Sequence, residues 1–293
     1  MSQRRTVQLA AVLLVALAGC GQGAGVSQAP PSRPGGTTAG AASDGHTGPG
    51  AVTTAATSGP GGGASSSSPP RTTSPPPLPP PAPVPGAPAP GVEWWHIPTT
   101  RHVVALTFDG GAGAQGAPSI LSTLAAQRVT ATFFLTGTWI EDFPTLGARI
   151  ASGYTVGNHS YDHPHMPQLP ASAQRTEILR TQSLIAGLGR DPRPLFRFPY
   201  GDRNASSLAI AGSLGYGSIF WTVDTLGWEG RSAGITTSTI VARVLAALRP
   251  GAIVLMHMGA SPDGSTPDAD ALPALIAAIR AHGYGFVALH SRG

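Results

Sequence analysis

The segment His102–Asp109, HVVALTFD, sets the architecture of the chain. It runs almost unbroken in apolar residues and ends on an acid, the pattern of a parallel strand buried on both faces. The same kind of run recurs at Ala131–Leu135 (ATFFL), Leu195–Phe198 (LFRF), Ser218–Val223 (SIFWTV), Ala252–Met256 (AIVLM) and Phe286–Leu289 (FVAL), with a shorter segment at Tyr154–Gly157. Helical stripes lie between them. Ile240, Val244 and Leu248, with Val241 and Leu245, form one stripe that Pro250-Gly251 stops. Ser172–Gly189 carries another through Ile178, Leu184, Ile185 and Leu188, and Leu272–Ala281 a third that ends near Gly283. Strand and helix in alternation over about 200 residues predict an α/β fold with a parallel sheet, open or closed as a barrel.

Both architectures place their chemistry at the carboxyl ends of the strands. There stand Asp109, Pro199-Tyr200, Asp224 and His257, with His159 and His163 after the short segment ending at Gly157. The two histidines are four apart, a spacing that on a helical turn turns both imidazoles to one face and suits two metal ligands. Arg197 is a charge inside an aromatic strand, so a carboxylate partner is expected, Asp109 or Asp224. His102, His282 and His290, at a strand start, a helix end and the chain tail, read as structural or surface residues.

Composition bears on the rest of the chain. The 293 residues include 39 glycines and 30 prolines, about twice the usual share. The surplus sits between about Gly21 and Gly91, in a stretch of Gly, Ala, Pro, Ser and Thr without a period of three, which excludes collagen and predicts a disordered spacer. All 18 basic residues are arginine, so lysine-based covalent catalysis is excluded. From Glu93 onward 14 arginines face 13 acids, and no nucleic-acid partner is implied.

The first residues read as a secretory leader: Arg4 and Arg5, an apolar run from Leu9 to Leu17, then Leu17-Ala18-Gly19-Cys20. That exit resembles the bacterial lipobox, and Cys20 is the single cysteine of the chain. The expected organisation is a lipoprotein signal peptide over 1–19, a lipidated Cys20 and spacer over 20–93, and a folded domain over 94–293. It implies an extracytoplasmic protein anchored to the cell membrane, reaching into the cell wall and monomeric.

Five motifs carry a family resemblance. Thr107-Phe108-Asp109-Gly110-Gly111, His159-Ser160-Tyr161-Asp162-His163, Arg197-Phe198-Pro199-Tyr200-Gly201, Asp224-Thr225-Leu226-Gly227-Trp228 and Leu255-Met256-His257 resemble, in order, those of the polysaccharide deacetylases with a NodB homology domain. The resemblance covers about residues 100–290. It implies a deformed (β/α) barrel and a divalent metal, usually zinc, that polarises an N-acetyl carbonyl. On that likeness Asp109 is the base that activates water, and His159 and His163 are metal ligands. Arg197 orients the base, and the Tyr200 backbone N–H helps hold the oxyanion. Trp228 and Leu255 line the acetyl pocket, and His257 protonates the leaving amine.

Two positions depart from the family pattern. Gly110 stands where a second aspartate binds the metal, and Gly227 where an aspartate helps tune the acid histidine. A metal shell short of one carboxylate is expected, with Asp109, Asp162 or His165 as candidates for a third ligand. The reading that follows is a metal-dependent deacetylase acting on peptidoglycan or a chitin-like glycan. The alternatives are a catalytically weak carbohydrate-binding lipoprotein and an O-acetyl esterase acting on acetylated xylan.

Overall fold

The computed structural model describes residues 87–290. The predicted leader, Cys20 and nearly all of the spacer lie outside the described residues. Among the described residues no helix is long and apolar enough to cross a membrane.

The strands are β1 (Glu93–Trp94), β2 (Val103–Gly110), β3 (Thr132–Leu135), β4 (Thr155–Asn158), β5 (Leu195–Phe196), β6 (Gly217–Ile219), β7 (Val223–Asp224), β8 (Ala252–His257) and β9 (Gly285–Phe286). All pair in parallel, in the order β1-β6-β5-β4-β3-β2-β8-β7, with β9 on the start of β2. The helices are α1 (Ala117–Gln127), α2 (Gly137–Asp142), α3 (Pro144–Gly153), α4 (Ala171–Gly187), α5 (Ala205–Ser213), α6 (Thr237–Ala246) and α7 (Pro267–Ala281).

Every residue of β2 is buried, as its unbroken apolar run requires, and its two faces meet different cores. Val104, Leu106 and Phe108 pack outward with α1 and α7, whereas Val103 and Ala105 pack inward with Phe134, Leu195, Ile219 and Ile253. The sheet thus curls around an inner cluster, as a barrel does. The strand period of two carries the inner row of β2 on to Asp109, and that of β8 through Ile253 and Leu255 to His257. Asp109 and His257 stand side by side in register.

The run Ser218–Val223, expected as one strand, is divided between β6 and β7. The break lies where the chain changes neighbours: the Phe220 N–H donates to the Trp94 carbonyl, and the Thr222 N–H to that of Ile253. This crossing brings the two ends of the curled sheet together. The folded chain also reaches back before residue 94, since Pro88 is buried and the Gly91 N–H bonds the Tyr216 carbonyl.

The helices follow their stripes. In α6, Ile240 and Val244 are buried and Thr236 and Thr239 close a capping box; the helix stops at Ala246, short of Pro250. Helix α7 begins five residues before the apolar stripe, at Pro267, with Asp268 and Asp270 in its first turn.

Candidate active site

The site grows from the end of β2. Arg197 follows β5 on the inner face and is fully buried, its Nη1 donating to Asp109 Oδ1 over 2.6 Å. Its Nε and Nη2 donate to the Ile219 and Phe220 carbonyls, and its guanidinium lies 4.1 Å from the centre of the Phe134 ring. The expected carboxylate partner is therefore Asp109. Burial alone would raise the Asp109 carboxyl, but the charges of Arg197, His159 and His257 hold it below the usual carboxylate range. A buried carboxylate is so kept ionised at the mouth of a cavity.

His159 and His163 come together on a loop rather than on a helical turn as expected. Ser160 and His163 have φ of 67° and 63°, the left-handed region that costs a non-glycine residue energy. Surrounding side chains hold this shape. Buried Asn158 accepts from the Ser160 N–H and donates to the Ile178 carbonyl and the Tyr216 hydroxyl. Glu177 accepts from the N–H groups of Tyr161 and Asp162, and Thr181 donates to the Ser160 carbonyl. The two imidazoles end with centroids 4.8 Å apart. Burial lowers His159, and burial with neighbouring His159 pushes His163 down to about 3, so both rings are neutral near pH 7.

His159 Nδ1 pairs with the Arg197 carbonyl at 2.8 Å and must donate to it, which leaves a lone pair on Nε2. That lone pair faces Asp109 Oδ2 at 3.4 Å. Two facing acceptors favour a proton or a cation beside them, and a backbone-anchored imidazole is the usual form of a metal ligand. Among the described residues no three histidine, cysteine or acidic side chains form a complete metal-holding group. The donor chemistry fits a divalent cation such as zinc with an open shell.

The other candidates for a third ligand are turned elsewhere. Asp162 faces Glu177, and His165 pairs with Asp202 at 2.9 Å while stacking on Tyr200. The place of Gly110 is occupied: a Cβ there would meet Met258 and come within 3.1 Å of Leu135 and 3.3 Å of Trp139. An outward-packed apolar cluster, not an open coordination position, lies at residue 110.

A cleft of about 430 Å³ opens above these groups, within the size range of small-molecule sites. Asp109, His159, His163, Tyr200, Trp228, Leu255 and His257 all line it. Arg197 stands behind Asp109. Tyr200 is held at φ 59° and Trp228 is half exposed, its Nε1 donating to Asp224. Trp221, read at the sequence level only as part of a strand, adds an aromatic wall, placed there by the crossing from β6 to β7.

Asp268 was missed by sequence reasoning. It is buried beneath His257, whose backbone N–H donates to its Oδ2 over 2.8 Å. The only prior signal was an acid eleven residues after the histidine, in a polar stretch that reads as a loop.

A profile of the polysaccharide deacetylase family matches residues 96–219. A peptidoglycan-N-acetylglucosamine deacetylase of Bacillus cereus is 35% identical over 196 residues, covering 66% of this chain and 69% of its own length. The solved structure of the Bc1960 peptidoglycan N-acetylglucosamine deacetylase matches with a TM-score of 0.62 at 33% identity, over 68% of this chain and 91% of that one. BA3943 of Bacillus anthracis, a CE4 family pseudoenzyme, matches with a TM-score of 0.62 at 29% identity, over 68% of both chains. The curled parallel sheet and the motif residues gathered at its carboxyl rim agree with this kinship, and the chain belongs to the polysaccharide deacetylase family of hydrolases.

Proposed function

We propose that the protein removes N-acetyl groups from a cell-wall polysaccharide, with peptidoglycan amino sugars as its substrate, in a metal-dependent hydrolysis. The observation that carries this reading is the ionised Asp109, fixed by Arg197 and set beside both His159 and His257 at one cleft. The names of the relatives point to the same substrate class.

His159 and His163 would hold the metal through neutral ring nitrogens. Bound there, zinc supplies Lewis-acid polarisation of the acetyl carbonyl and a more acidic water. Asp109 takes the proton of the attacking water, whose oxygen bonds to the carbonyl carbon. The Tyr200 backbone N–H helps hold the oxyanion, and Trp228 and Leu255 enclose the acetyl methyl. The C–N bond breaks as His257 gives a proton to the nitrogen, leaving acetate and a free amine.

The test is acetate release by the full chain from peptidoglycan, chitooligosaccharide and acetylated xylan, after chelation and after zinc is restored. Zinc-dependent release from the N-acetylated glycans, lowered about 100-fold or more by Asp109→Asn and by His257→Ala, is expected. Release from xylan alone would replace the reading with ester hydrolysis. Glycan binding without release would replace it with a carbohydrate-binding role.

We further propose that Cys20 is lipidated and that residues 20–93 tether the domain outside the cell membrane. This rests on the sequence of the leader alone. Cys20→Ser should release the protein from membranes, and its continued retention would overturn the anchor.

A further inference from the structure

Asp268 stands to His257 as Arg197 stands to Asp109: behind the cleft, buried, and in contact with a group that lines it. Its Oδ2, besides accepting the His257 N–H, lies 3.8 Å from His257 Nδ1. Both His257 Nδ1 and Asp268 Oδ1 are buried without a hydrogen-bond partner. A ring nitrogen without a partner and a carboxylate with one oxygen unpaired lie nearly in reach of each other, and a small rotation of either side chain joins them.

The space that Asp268 fills is the space of residue 227. A Cβ on Gly227 would fall inside contact distance of the Asp268 carboxylate carbon and both its oxygens. Gly227 is buried and its φ is not among the left-handed ones, so its backbone does not require glycine. What excludes a side chain at 227 is the carboxylate arriving from the first turn of α7. Two other groups bear on it: the nearby Thr225 hydroxyl favours its ionised form, and the Asp224 charge opposes it. Burial pushes Asp268 up to about 6, with His257 pulling the other way, so a carboxylate is available near pH 7.

We infer that Asp268 is the positioning residue of His257: it accepts a hydrogen bond from Nδ1–H, fixes the ring, and leaves the Nε2–H of the imidazolium directed to the cleft as the proton donor. Gly227 is the vacancy that lets α7 deliver that carboxylate. Asp268 touches no substrate and acts through the ring. The inference rests on the acid role given to His257 above, but its first readout does not.

The experiment follows the His257 ring by ¹⁵N NMR across pH in the full chain, beside steady-state deacetylation. The groups facing His257 are Asp109, Asp268, His159 and His163, so only the change caused by Asp268 is read. In Asp268→Asn the imidazolium should lose its partner: its acid constant rises about tenfold, the high-pH limb of kcat moves down to match, and kcat falls about 30-fold or more with KM nearly constant. The double variant Gly227→Asp/Asp268→Ala, which moves the carboxylate rather than removing it, should recover most of both. An unchanged His257 titration and kcat in a folded Asp268→Asn overturns the inference. If Asp268→Asn does not fold, the double variant decides: a wild-type titration supports the inference and a shifted one overturns it. A coupled titration in a protein that releases no acetate would sustain the inference and defeat the deacetylase reading.

Discussion

Arg197 Nη1 and Asp109 Oδ1 are 2.6 Å apart, and the side chains are 0% and 7% exposed. A pair this deep gives little net stability against apolar packing, but breaking it strands a charge. The pair keeps Asp109 ionised in a place where burial alone would protonate it.

Arg197→Met is therefore expected to raise the Asp109 pKa, cut deacetylation at pH 7 at least about 100-fold, and lower stability by roughly 3–5 kcal/mol. Wild-type Asp109 has a folded pKa below its unfolded one. Its contribution is thus present above pH ~3.9 and is lost as pH falls through the folded value. The gap in Tm between wild type and variant should narrow as pH is lowered toward 3. Thermal melts at several pH values measure it.

His163 adds to the same acid limb. Its folded value near 3 lies below the ordinary 6.5, so between those values the unfolded chain binds a proton that the folded chain refuses. Stability should fall as pH drops from about 6.5 toward 3 in the metal-free protein. Conversion of His163→Asn should flatten part of that slope, read by denaturation in the presence of a chelator.

Gly110→Asp alone should overpack the cluster of Met258, Leu135 and Trp139 and cost about 1–3 kcal/mol. Combining it with Met258→Ala removes the nearest obstruction. The double variant should relieve the clash, and because residue 110 faces the outward cluster its zinc affinity, by calorimetric titration, should equal that of wild type. Tighter binding would show that residue 110 does reach the metal.

Asn158→Leu removes three buried hydrogen bonds that join β4, α4 and the histidine loop. A loss of about 2 kcal/mol or more is expected. Zinc affinity should fall about tenfold or more, because His159 follows directly on that anchor.

The strands were legible because parallel strands buried on both faces must be apolar nearly throughout, as VVALTF and AIVLM are. Site residues at the ends of those runs were legible for the same reason: Asp109 and His257 are where an inner row stops being apolar. The histidine loop was not, since its left-handed positions at Ser160 and His163 carry no glycine to announce them. Nor was Asp268, because the apolar stripe of α7 starts after it and its burial depends on an absent side chain at residue 227. The break at Phe220–Thr222 was hidden by a run that stays apolar while its hydrogen-bond partners change.

Positions 227 and 268 draw on one volume, and this bears on descent. A chain that gained aspartate at 227 while keeping Asp268 would pass through an overpacked intermediate, and one that first lost Asp268 would pass through an unsupported histidine. Either order is penalised, so the two placements of the carboxylate are separated by an epistatic barrier. Lineages on opposite sides of it should exchange both residues together or neither.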